Sequence, residues 1–148
     1  MDFHRILVPI DRNVASLDAF KIACALAKSY KGEVIALYVI EVMRSLPLEA
    51  EMEPEIAKGE DLLSQAENIA GDRDVKVETD LLQAREVGSA VVDEAAERKA
   101  DLILIGLPYK KHFGEFSLGR AVPYLLKNAP CAVMVLREKL PEEDSDLG

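Results

Sequence analysis

The chain has 148 residues, 49% of them hydrophobic and 30% charged, with a formal net charge of −9. That length suits one domain and is enough to bury roughly two-thirds of the surface an unfolded chain exposes. An acidic chain repels nucleic acid, which argues against DNA or RNA as a partner. No apolar run approaches the about 20 residues that a bilayer crossing needs.

From the N-terminus, MDFHRILVPID holds a short apolar run that Asp11 and Arg12 interrupt. This is not the layout of a secretory signal, and a cytoplasmic protein is expected. Five apolar runs follow one another along the chain: 5–10, 33–40, 75–82, 101–106 and 131–137. Four of them are nearly continuous, as parallel strands covered on both faces are. The third alternates, with Val75, Val77 and Thr79 on one side, which predicts an edge strand.

Helical spacing fills the gaps between the runs. It links Ala19, Ala23, Leu26, Ala27 and Tyr30 after a candidate cap at Ser16. It links Ile56, Leu62, Leu63, Ala66 and Ile69, and then Val87, Ala90, Val91 and Ala95, with Glu94 at the stripe's edge. A last helix is expected over 119–128, with Pro123 in its first turn, where a missing N–H costs little. The acidic stretch 41–54, with two prolines, reads as an exposed loop.

The resulting order is β-α-β-α-β-α-β-α-β, an α/β domain over 1–137 with an open, doubly wound, five-stranded parallel sheet and helices on both faces. The last eleven residues, 138–148, hold five acids and one lysine and read as a disordered acidic tail. Cys24 and Cys131 fit no CxxC or metal-ligand spacing, and both are expected as buried reduced thiols.

In such a sheet, ligands sit beyond the carboxyl ends of the strands where strand order reverses. The first and fourth strands are the expected central neighbours, so Pro9-Ile10-Asp11 and Ile105-Gly106 should converge on one crevice. VPID near the start, a strand ending in IG, a glycine before the last helix and the closing NAPCAVMVLR resemble the universal stress protein family. The resemblance runs from about Arg5 to Arg137. It implies an adenine nucleotide alpha hydrolase-like fold with strand order 3-2-1-4-5, and a homodimer formed through the last strand (131–137).

The nucleotide-binding branch of that family carries G-x2-G-x9-G-[S/T]. Gly106 and Gly119 take the first and third glycine positions here, but Tyr109 takes the second and Arg120 the hydroxyl position. The first loop departs as well, reading Asp11-Arg12-Asn13 where D-G-S is common. By resemblance, the nucleotide or anion contacts fall on Pro9, Asp11, Val39, Ile105, Gly106, Gly119, Arg120 and Ala121. Lys110 and Lys111 add cations beside them.

Tyrosine brings bulk where glycine would let the backbone approach a phosphate. Arginine cannot cap a helix but is a strong bidentate anion ligand. Two partners stand open for Arg120. One is internal, from Asp11, Glu115 or an acid of the 41–54 stretch, and would plug the pocket. The other is an external anion.

No GxSxG, HExxH or complete P-loop is present, so the chain reads as more a binder than an enzyme. The functional expectation is a dimeric stress-response or regulatory module with an anionic ligand at a modified nucleotide cleft and an unidentified protein partner. The alternatives are an ATP- or AMP-binding member with weak or no hydrolysis, using Mg2+ if ATP is bound, and a structural dimer with a plugged cleft.

Overall fold

The computed structural model describes residues 1–109 and 117–140. Five strands, β1 (Arg5–Pro9), β2 (Glu33–Glu41), β3 (Lys76–Ala84), β4 (Leu102–Leu107) and β5 (Ala132–Arg137), alternate with four helices. These are α1 (Val14–Tyr30), α2 (Glu53–Asp72), α3 (Val87–Glu97) and α4 (Ser117–Asn128). The strands form one parallel sheet in the order β3-β2-β1-β4-β5. β1 pairs with both β2 and β4, Leu7 lying between Ile35 and Ile103. The switch in strand order therefore falls at β1, as the sequence pattern predicts.

Three of the four continuous apolar runs, those of β1, β2 and β4, are largely buried because helices cover both faces; the fourth, that of β5, was expected to be covered as well and is not. On one side, Ile6, Val8, Phe20, Val34 and Ala36 pack under α1 and α2. On the other, Leu7, Ile35, Leu37, Val91 and Leu125 pack under α3 and α4. β3 closes one edge with a half-buried pattern, in keeping with its alternating sequence. β5 closes the other edge with Met134 and Val135 exposed. Adjacent residues point to opposite faces of a strand, so this edge is uncovered on both sides.

Three local expectations need correction. The cap of α1 is Asn13, whose side chain accepts the Ser16 N–H at 2.9 Å. Ser16 itself is fully buried inside the first turn. Helix α4 starts at Ser117, so Gly119 lies within its first turn and Pro123 lies inside the helix. Pro123 lacks the N–H that would bond the Gly119 carbonyl. Cys24 is buried, and burial pushes its thiol up to about 11. Cys131 is only half-buried, at the mouth of the β4–β5 edge.

Candidate functional site

At the carboxyl ends of β1 and β2 the chain leaves a crevice of about 230 Å³. Pro9, Ile10 and Asp11 form one wall, Leu37 through Glu41 the second, and Arg12, Glu55 and Val87 the rim. The floor is apolar because it is the end of the core: Ile10 and Leu37 are buried, and the Ile10 N–H donates to the Leu37 carbonyl at 2.8 Å. Val39 is half-buried and faces the opening.

The Asp11 loop is held by a small knot of hydrogen bonds. The Asp11 N–H donates to Ser16 Oγ at 3.0 Å, and Ser16 Oγ lies 2.9 Å from the Asp11 carbonyl. The Asp11 carboxylate accepts the Arg12 N–H at 2.7 Å. A buried serine thus fixes the turn that carries Asp11 and Arg12 to the rim. Across the crevice, the Tyr38 phenol is held above its usual pKa. Burial is the main cause, Arg12 opposes it, and Asp11 and Glu55 add to it.

Glu41, the last residue of β2, joins this crevice to a smaller cleft of about 100 Å³ beside α3 and α4. One carboxylate oxygen accepts the Val87 N–H at 3.1 Å. Val87 is the first residue of α3, and the Glu86 side chain before it makes no capping bond. Glu41 therefore caps α3 from another element, placing negative charge at a helix N-terminus. Its other oxygen accepts from Arg120 Nη2 at 2.7 Å. A single carboxylate ties β2, α3 and α4 together.

The expected site residues are distributed as follows. Pro9, Asp11 and Val39 line the larger crevice. Arg120 and Ala121 line the smaller one and meet the first group through Glu41. Ile105 and Gly106 are buried and line neither cleft. A Cβ at Gly106 would stand 2.2 Å from the Ala15 carbonyl oxygen, so this glycine lets α1 lie flush on β4.

Gly119 is exposed, and among the described residues a Cβ there would meet nothing within 4 Å. Tyr109 turns to a separate depression with Ala15, Asp18 and the end of β5. It is not among the residues lining the crevice. Lys110, Lys111 and Glu115 lie outside the described residues.

Sequence reading missed Glu41 as the joining residue, and with it Arg12, Tyr38 and Glu55. As a partner for Arg120 the expectation was Asp11, Glu115 or an unspecified acid of the 41–54 stretch, and Glu41 belongs to the last of these. Among the described residues no group of three His, Cys, Asp or Glu side chains could hold a metal ion. No helix among them is long and apolar enough to cross a membrane. A set of ion pairs among the described residues lies elsewhere, where Arg98 meets Glu78, Asp80 and Glu94 on the β3 edge.

Residues 2–137 match the family model described as the universal stress protein family. A universal stress protein of Methanocaldococcus jannaschii is 31% identical over 146 residues, covering 95% of this chain and 85% of the relative. Among solved structures, a universal stress protein family member from Burkholderia pseudomallei superposes with a TM-score of 0.73 at 22% identity, over 90% of this chain and 96% of that one. A universal stress protein family member from Arabidopsis thaliana, solved with AMP bound, superposes with a TM-score of 0.68 at 17% identity, over 96% and 98% of the two chains.

Proposed function

This chain belongs to the universal stress protein family, and from that premise we propose that it is a regulatory module whose crevice reads an adenine nucleotide without turning it over. The observation that carries the reading is the crevice at the switch point of the sheet, with Pro9, Asp11 and Val39 on its walls. Its position is where open parallel sheets bind ligands. The Arabidopsis thaliana neighbour, which shares the fold, is known with AMP.

The size of the crevice bears on the ligand. At about 230 Å³ it falls below the roughly 300–1,000 Å³ of ordinary small-molecule sites. It suits a base and part of a ribose. Next to the crevice lies the smaller cleft, where Glu41 and Arg120 are already paired.

The regulatory role, as against hydrolysis, rests on the occupation of the crevice acids. Asp11 accepts the Arg12 N–H, and Glu41 caps α3 while holding Arg120. Asp11 and Glu41 thus have structural work and Glu55 stands at the rim, whereas general-base catalysis needs a carboxylate aimed at an attacking water. A homodimer through β5 completes the proposal.

Calorimetric titration with AMP and ATP tests it, beside mass spectrometry of small molecules released when the purified protein is denatured. AMP should bind, ATP should bind no more tightly, and neither should be consumed. Val39→Trp should fill the crevice and weaken AMP by at least about tenfold, or about 1.4 kcal/mol, with an unchanged circular dichroism spectrum. No adenine compound bound by the wild type, either as purified or on titration, would defeat the reading.

A further inference from the structure

We infer that Glu41 is the specificity residue of the crevice: its carboxylate occupies the place a ligand phosphate would take and makes the protein select the nucleoside part of its ligand over the phosphate. This rests on the adenine-binding reading above and adds to it the discrimination between nucleoside and nucleotide.

The geometry is that of an anion site with the anion built in. An α-helix N-terminus offers unpaired N–H groups and about half a unit of positive charge, and an arginine beside it offers a planar fork of donors. Together, the first N–H of α3 and the Arg120 guanidinium could hold a phosphate. Here both address one carboxylate, Val87 N at 3.1 Å and Arg120 Nη2 at 2.7 Å from its two oxygens.

Glu41 also lines both clefts, so it stands on the path from the base-sized crevice to the arginine. A phosphate moving along that path meets a like charge first. It must also displace a charge-assisted hydrogen bond before it gains one. Its net return from Arg120 is therefore small. A nucleoside without phosphate leaves the pair undisturbed.

The consequence can be separated from simple electrostatic tuning. Glutamine at 41 keeps an oxygen to accept the Val87 N–H but removes the negative charge that holds Arg120. Glu41→Gln should therefore keep α3 capped and weaken this one ion pair, easing the turn of the guanidinium towards an incoming phosphate.

The experiment is a titration of adenosine, AMP and inorganic phosphate into wild type, Glu41→Gln, Arg120→Ala and the double variant. In the wild type, adenosine and AMP should bind within about threefold of one another. Glu41→Gln should bind AMP at least about tenfold more tightly than wild type, with adenosine changed by less than about twofold. The gain should vanish in Glu41→Gln/Arg120→Ala. The wild-type comparison of adenosine with AMP stands independently if Glu41→Gln does not fold.

An AMP affinity that is unchanged by Glu41→Gln, or whose gain survives loss of Arg120, overturns the inference. So does a wild type that binds AMP at least about tenfold more tightly than adenosine. Failure of every protein to bind adenosine would sink the adenine reading and leave this one to inorganic phosphate. Melting temperatures at matched ionic strength would then decide: a phosphate-dependent rise in Glu41→Gln but not in wild type upholds it, and equal behaviour rejects it.

Discussion

Gly106 shows how a residue can satisfy a binding motif for reasons of packing. An added Cβ would meet the backbone oxygen of Ala15 at 2.2 Å and the Ala19 side chain at 2.9 Å. Backbone cannot move aside as a flexible side chain does, and inserting even a methyl group into a packed core costs about 1–3 kcal/mol. Gly106→Ala should lower the free energy of unfolding by about 2 kcal/mol, read from a urea midpoint. A change below about 0.5 kcal/mol would mean that α1 and β4 are not in close contact.

Much of the site was legible at this scale, but by residue type more than by role. The spacing from Gly106 to Gly119 could be counted in the sequence, while the neighbour that each glycine must accommodate could not. Arg120 was visibly in need of an anion. Its partner lies 79 residues away, and sequence narrowed it only to acids such as Asp11, Glu115 or the 41–54 stretch. Which side chain reaches depends on β2 and α4 ending at the same corner of the molecule.

Among the elements, the segment between β2 and α2 is the one most dependent on a single outside side chain. Arg85 Nη1 donates to the carbonyls of Met43 at 2.7 Å and Leu46 at 2.9 Å, and lies 3.3 Å from that of Val42. Gln83 Nε2 donates to the carbonyls of Leu48 at 2.8 Å and Ala50 at 3.0 Å. The stretch read from sequence as an exposed loop is therefore a loop pinned from the end of β3.

Loops with few apolar contacts open locally without global unfolding. Arg85→Ala should speed tryptic cleavage after Arg44 several-fold and shift the global unfolding free energy by less than about 1 kcal/mol. A global loss of several kcal/mol with no change in cleavage would show that Arg85 supports the core. The element order was legible because hydrophobic period distinguishes covered strands from amphipathic helices, whereas the strand order was implied by the family resemblance and is not written in the period. The ends of the elements were less legible: α4 begins at Ser117, before the expected start at 119, because Gly119 reads as a boundary although Leu118 is in register with Val122 and Leu125.

For the whole molecule, the exposed β5 edge is the feature that needs a partner. Its Met134 and Val135 are 40% and 41% exposed, on opposite faces of the strand. Uncovered apolar edges are hazards in a monomer, and two-fold pairing is a common solution. The chain should sediment as a dimer at micromolar concentration, and Val135→Lys should shift it towards monomer by placing like charges on the paired edges. A wild-type monomer under those conditions would contradict β5-mediated assembly.

The flush contact between Gly106 and Ala15 has a consequence for how the family's sequences can be sorted. In this chain the first motif glycine answers to the seating of a helix on a strand. A descendant that abandoned its ligand altogether would still be selected to keep it. The first motif glycine by itself therefore measures ancestry of fold. The identity of the residues at 41 and 120, a carboxylate and a guanidinium that answer one another, would separate chains that grip a phosphate from chains that have replaced it.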